Sequence, residues 1–267
     1  MVSELHILNG DCALKIWEQC GFQGTALVWL ETYLEGPLPE TEDLDTFRKA
    51  RAAFLATFEE TKEIGLERLC SHLQRMDDTL LTECPQRDVM LWFDSCIFDQ
   101  TLLMRILYLL HGQKSKRRVF LYCSGNNCLT AEDFRQGAQG RFCLTAEEIR
   151  YGACAWRLFQ RRDGEGMKQL AREKKFDRMP AMEKALYRCA EDVPDGDGLT
   201  RTQRQILQLA SEGEKSFREI FTALDRFEEY PFLGDTACQR LLDHLIACGR
   251  LICSAGRYTA AKSVKTP

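Results

Sequence analysis

Two periods of apolar residues alternate along the first half of the chain. Leu5–Leu8 is a short apolar run that ends in Asn9-Gly10-Asp11, and the amphipathic stretch Cys12–Cys20 follows it and stops at Gly21. Thr25–Leu30 is a second apolar run. That order reads as strand, tight turn, helix, glycine cap, strand, the opening of a βαβ unit in a parallel sheet. The segment Glu35-Gly36-Pro37-Leu38-Pro39 is a rigid loop. From Asp43 to about Leu81 the period becomes helical: Leu44, Phe47, Phe54, Leu55 and Phe58 form one apolar stripe, and Gly65 is expected to divide the region into two helices. Asp88–Phe93 reads as a third strand, Gln100–Leu110 as an apolar helix opened by Asp99, and Arg118–Tyr122 as a fourth strand.

Beyond Ser124-Gly125-Asn126-Asn127 the strand period disappears. Helices are predicted over Thr130–Gln136, Thr145–Gln160, Met167–Lys175 and Ala181–Glu191, with Thr130 and Thr145 each followed three residues later by an acid, Asp133 and Glu148, in the manner of a capping box. Pro194-Asp195-Gly196-Asp197-Gly198 is the densest turn cluster in the chain and reads as a linker. After it come helices over Arg201–Ser211, Ser216–Phe227 and Asp235–Cys248, then a hairpin with its turn at Ala255-Gly256. The fold class expected is α/β: a Rossmann-like parallel sheet layer over 1–128, a helical connector over 129–193, and a small winged-helix-like domain over 199–267.

Composition narrows the class. The chain has 267 residues, 45% hydrophobic and 28% charged, which is an ordinary globular balance, and a net charge of −4 that speaks against a generally basic nucleic-acid binder. Thirteen cysteines, an odd number with no Cys-x-x-Cys, do not make a secreted disulfide framework or a zinc-finger spacing. They read as small core hydrophobes, Cys20, Cys70, Cys154 and Cys189 among them. The N-terminus lacks a basic and then apolar leader, and no apolar run reaches about 18 residues. A cytoplasmic protein with no membrane span is expected. The four tryptophans, Trp17, Trp29, Trp92 and Trp156, are expected in the core. The basic run Lys114–Arg118 reads as a solvated loop.

Candidate chemistry gathers where strands end. Asn9-Gly10-Asp11 closes the first strand and opens a helix, the place where open α/β sheets take ligands and where free backbone N–H groups suit an anion. Asp11 could equally be that helix's N-cap. Asp94, Asp99 and Gln100 follow the third strand, with Asp99 also able to cap the helix behind it. With Asp11 and Asp94 on one edge, carboxylates could hold Mg²⁺, the one cofactor the residues suggest. His6, inside the first strand, is either a structural histidine or an acid–base group reaching Asn9 and Asp11. No Gly-x-Gly-x-x-Gly, Walker or Gly-x-Ser-x-Gly motif occurs, which disfavours dinucleotide, P-loop and α/β-hydrolase chemistry. From Leu199 onward ten Lys/Arg face eight Asp/Glu, but Asp235 and Asp243 on the third helix of that tail would meet DNA phosphates badly.

Several motifs together resemble a known bacterial family. His6-x-x-Asn9-Gly10-Asp11, Gly36-Pro37-Leu38-Pro39, and Leu91-Trp92-Phe93 followed by Asp99-Gln100 resemble the domain of unknown function 1835. Leu144-Thr145-x-x-Glu148 and Ala155-Trp156 resemble its middle part. Leu199-Thr200-Arg201-Thr202-x-Arg204-Gln205 and Pro231–Thr236 resemble the domain of unknown function 3658 that accompanies it. One departure lies between Trp92 and Asp99, where the resemblance calls for acids or histidines and this chain has Cys96 and the single acid Asp94. The resemblance implies no particular activity. Three function classes follow from the residues: a binding or regulatory protein that takes a small ligand, phosphorylated or nucleotide ligands included, at the strand edge; a Mg²⁺-dependent hydrolase or transferase at that edge; and a DNA-binding regulator acting through the tail, with weak DNA affinity at best, a protein partner being the tail's other expected role.

Overall fold

The computed structural model describes residues 4–83, 87–113, 117–126, 128–230 and 232–261. By contacts the chain divides into two units, Met1–Tyr187 and Arg188–Pro267. The expected linker at Pro194–Gly198 therefore lies inside the second unit.

The first unit is built on a five-stranded sheet. In chain order its elements are β1 (Leu5–Leu8), α1 (Asp11–Gln19), β2 (Thr25–Val28), α2 (Leu44–Leu55), α3 (Leu66–Asp78) ending in a π-turn at Thr79–Glu83, β3 (Val89–Asp94), α4 (Ile97–His111), β4 (Val119–Ser124), α5 (Ala131–Gly140), β5 (Phe142–Cys143), α6 (Ala146–Gln160), α7 (Gly164–Arg172) and the larger part of α8 (Pro180–Glu191), whose residues from Arg188 on belong to the second unit. The strand order is β2-β1-β3-β4-β5. The first four strands pair in parallel and β5 pairs antiparallel to β4. The region 129–193, expected to be purely helical, thus contributes an edge strand. Two residues are too few to show a period of two.

Register explains the burial pattern. His6, Leu8, Met90 and Trp92 share one face of the sheet, where they meet Ala13 and Trp17 of α1 and Phe134 of α5. Alternation sends Ile7, Leu91 and Phe93 to the opposite face. Right-handed crossovers place α1 on one side and the later β2-to-β3 and β3-to-β4 connections on the other. α4 is buried almost from end to end, Leu102, Leu103, Met104, Ile106 and Leu107 all inaccessible, as befits a helix with neighbours on every side. All four tryptophans are buried. The cysteines largely are not core: of the twelve described, only Cys189 and Cys238 are fully buried, and Cys12, Cys128, Cys143, Cys248 and Cys253 are exposed. Cys84 lies outside the described residues, as do Lys114–Lys116, Asn127 and Pro231.

Local caps form where the spacing predicted them. Thr130 with Asp133 and Thr145 with Glu148 close full capping boxes, and Thr200 with Gln203 and Ser216 with Glu219 do the same in the second unit. That unit holds α9 (Arg201–Ser211), β6 (Lys215–Ser216), α10 (Phe217–Asp225), α11 (Asp235–Ala247), β7 (Leu251–Ser254) and β8 (Arg257–Ala260). Its strands form an antiparallel sheet in the order β6-β8-β7, so the expected hairpin gains a third, two-residue strand. The unit has its own core of Ile206, Ile220, Cys238, Leu242, Leu245 and Leu251.

Candidate functional site

In a sheet ordered β2-β1-β3-β4, the connection leaving β1 steps toward β2 and the one leaving β3 steps the opposite way, toward β4. The crevice above the carboxyl ends of β1 and β3 is the switch point where open α/β sheets take ligands. Asn9 stands there beyond β1, and Asp94 ends β3. The Asn9 side-chain amide donates to both oxygens of Asp99, at 2.8 and 2.7 Å, and the Asp94 backbone N–H donates to Asp99 Oδ2 at 2.8 Å. Asp94 Oδ1 accepts from the Cys96 N–H, and the Gln100 amide donates to the Asp94 carbonyl at 2.6 Å. Sequence reasoning placed Asn9, Asp94, Asp99 and Gln100 on one edge, and they do meet there. Asp99 does not cap α4; Cys96 does, its Sγ accepting from the Asp99 N–H, and Asp99 sits one turn in. Nor is Asp94 a solvated loop acid, since it is buried at the strand's end.

Burial dominates the electrostatics of this crevice. Taking Asp99 out of water, with Asp94 beside it, pushes its carboxyl up to about 8, against the pull of the Asp94 N–H and Asn9. Burial raises Asp94 as well. The Cys96 thiol goes far above its ordinary value, first through burial and then through the two carboxylates.

Donor atoms of Asp94, Cys96 and Asp99 lie within 4.8 Å of one another. The set does not suit Mg²⁺, which wants hard oxygens and keeps several waters. A thiol is a soft ligand, both Asp99 oxygens already accept hydrogen bonds, and Asp94 and Asp99 are 2% and 0% exposed. These contacts join the β1 and β3 loops to α4.

The other sequence candidates stand apart from this cluster. Gly10, at φ +144, is the N-cap of α1, a conformation that L side chains rarely adopt, and Asp11 is the exposed first helical residue rather than the cap. His6 turns its ring into the aromatic layer under α1 and α5. The Trp92 indole N–H donates to His6 Nδ1 at 3.0 Å, and Nε2 lies 3.9 Å from Glu4. The ring centroids of Trp17, Phe22 and Trp92 lie 5.2, 5.9 and 6.3 Å away. Burial, the largest influence, holds its pKa below the ordinary value. His6 is thus a neutral core histidine, committed to Trp92 rather than to Asn9 or Asp11.

A cavity of about 550 Å³ opens beside this crevice, over the carboxyl end of β2. Leu30–Thr32 after β2, the end of α2 with the turns behind it, α3, and Phe98 of α4 line it. Its walls are mainly apolar: Leu30, Leu55, Phe58, Ile64, Leu69 and Phe98. Leu30 and Ile64 are 51% and 42% exposed, two of the few large apolar side chains left in solvent. Glu31 also lines it, but its carboxylate is consumed. Arg51 donates to Glu31 Oε1 and Oε2 at 2.7 and 3.2 Å, and both side chains are inaccessible. The remaining Arg51 N–H groups go to the carbonyls of Thr32, Glu35 and Pro37. This guanidinium fastens the Gly36-Pro37 loop over the cavity's flank. Gly36 has φ +77, and a Cβ there would stand 2.4 Å from the Phe54 ring.

Sequence reasoning missed Arg68, His72 and Arg75 on α3, which also line this cavity. The signal was present: the spacing of three and four residues puts all of them on one helix face, beside the buried stripe Leu69, Leu73 and Met76. Compared with known proteins, the chain matches no family model, no curated protein and no solved structure.

Proposed function

We propose that the protein binds a small, largely apolar ligand in the cavity over the carboxyl end of β2. The observation that carries this reading is the cavity itself: about 550 Å³, within the range of roughly 300–1,000 Å³ usual for small-ligand sites, at the sheet edge where such ligands gather. Its exposed apolar mouth at Leu30 and Ile64 supports the same reading. The buried Asn9–Asp99–Asp94 contacts support a rigid wall rather than reacting groups, so a Mg²⁺-dependent reaction at that edge is the weaker reading.

The test uses N-phenyl-1-naphthylamine, an uncharged apolar fluorophore, with the full chain. Saturable enhancement at one site per chain is expected, together with its loss in Leu30→Ser/Ile64→Ser at unchanged melting temperature, since both side chains are largely in solvent. Enhancement that never saturates, or that ignores the double variant, overturns the proposal.

For the second unit, the order α9, β6, α10, α11, β7, β8 supports a winged-helix reading. Asp235 and Asp243 are exposed on α11, which favours a role other than tight DNA binding. Membership of the family resembled above is likewise a proposal, resting on the motifs alone. No helix among the described residues is long and apolar enough to cross a membrane, and a cytoplasmic location is proposed from the unpaired cysteines.

A further inference from the structure

About half of the described cations of the first unit have an acidic partner. Arg48 pairs with Asp45 and Asp77, Arg51 with Glu31, Arg118 with Asp88, Arg141 with Glu4, and Arg178 with Glu148. Arg68 and Arg75 are among those without one, and they stand out by their place. Among the described residues neither has an acidic partner, and both line the apolar cavity. Between them His72 lines the same space, and its Nε2 is buried with no hydrogen-bond partner. A buried, unpaired polar nitrogen costs free energy unless something meets it. The one carboxylate in the wall, Glu31, is neutralised by Arg51. The cavity therefore offers an apolar body of space and, along one helix face, two exposed guanidinium groups with no acidic partner and one buried imidazole nitrogen with no hydrogen-bond partner.

We infer that this site takes an amphipathic anion: an apolar chain or ring system in the cavity, with one carboxylate or phosphate-type head held by Arg68, His72 and Arg75. This rests on the ligand-binding reading above and names the class of ligand. A purely apolar ligand would leave the His72 nitrogen unmet, and a cation would stand against two guanidinium groups. An anionic head removes both penalties, and its charge-assisted hydrogen bonds are about twice as strong as neutral ones. His72 lies below its ordinary pKa, chiefly through burial and then through Arg75, with Glu31 and Asp11 acting the other way. A neutral imidazole can still present one N–H to the head.

The experiment displaces the bound neutral fluorophore from the full chain with decanoate, decyl phosphate, decanol and decylammonium. Decanoate or decyl phosphate should displace it at concentrations about tenfold lower than decanol, and decylammonium should be the poorest. The better of the two anions identifies the head. In Arg68→Gln/Arg75→Gln that preference should vanish while decanol is unaffected, with the melting temperature held. Decanol matching the anions, or a preference that survives the double variant, overturns the anion inference and leaves the cavity reading standing. If the fluorophore itself binds without regard to Leu30→Ser/Ile64→Ser, both fall together.

Discussion

Two neighbouring stretches of one sheet edge spend their polar groups in opposite ways. Above β1 and β3, Asn9, Asp94, Asp99 and Gln100 are bonded to one another, with Asn9 half-buried and the other three closed off from water. Beside β2, Arg68, His72 and Arg75 border an open cavity with no acid to answer them. By residue type the first stretch looks more like an active site. By what its groups still have to give, the second does. A carboxylate pair at a strand end is informative only once its hydrogen bonds are counted, because buried polar groups satisfied by their own protein have little left for a ligand. The same holds between two arginines of this unit. Arg51 has its N–H groups committed to Glu31 and three backbone carbonyls, whereas Arg75, exposed on α3, is free to act on what enters from solvent.

The sharpest way to break the contrast is to remove one arginine of each kind. Arg51→Met leaves the inaccessible Glu31 carboxylate without its partner and frees the Gly36-Pro37 loop. A loss of about 3–5 kcal/mol is expected, as for other buried pairs deprived of one member. Arg75→Gln should stay within about 0.5 kcal/mol of the wild type. Urea unfolding of both variants checks this, and similar losses for the two would erase the distinction between committed and uncommitted cations.

A smaller effect tests whether Asp99 is committed to structure. Its folded pKa, near 8, lies above the unfolded carboxylate value of about 4. For a carboxyl raised on folding, the native state holds the proton more tightly. Its contribution to stability is then complete below pH 4 and is lost as pH rises toward 8. Asp99→Asn removes that titration, and an amide oxygen can still accept from Asn9 and from the Asp94 N–H. The difference in stability, variant minus wild type, should therefore grow in the variant's favour by on the order of 4 kcal/mol from pH 5 to pH 9. Taking this difference cancels His6 and His72, whose lowered pKa values cost stability as pH falls below about 6.5 in both proteins. A flat difference across the range would mean that Asp99 is ionised and well solvated, and that the crevice is more open than its burial implies.

Much of this arrangement was legible in the sequence, for a definite reason. Asn9, Asp94 and Asp99 each lie at or just beyond the end of a strand, parallel pairing carries such segments to one edge, and the hydrophobic period was enough to find those strands. Three features were beyond that logic. β5 and β6 are two residues long, so neither shows a period. The fate of His6 depends on register: opposite Met90 and two residues from Trp92 in the ladder, it is drawn into an aromatic layer assembled from four elements. The α3 nitrogens look like the polar face of an amphipathic helix, and periodicity cannot separate a face turned to water from one bordering a cavity. A count of unanswered cations along that face is the one sequence-level clue, since Glu67 is the only acid on α3 before Asp77 and Asp78.

The smallest effect concerns Asp11, the residue that sequence alone makes central to the edge. It is exposed in the first turn of α1, and Gly10 serves as the cap. Its carboxylate is worth what an acid near a helix N-terminus is worth, about 0.3–1 kcal/mol at low salt, so Asp11→Asn should cost no more than that. Its second role is at a distance. Asp11 raises the pKa of His72 slightly, which means that its field reaches the cavity's nitrogen face. A negative charge placed there opposes an anionic head. Asp11→Asn should therefore leave the neutral fluorophore unaffected and tighten decanoate by less than about twofold, an effect that should shrink as added salt shortens the Debye length from about 10 Å at 0.1 M to about 3 Å at 1 M. Outright loss of binding in this variant would instead make Asp11 a direct ligand, and would move the site from β2 back to the turn after β1.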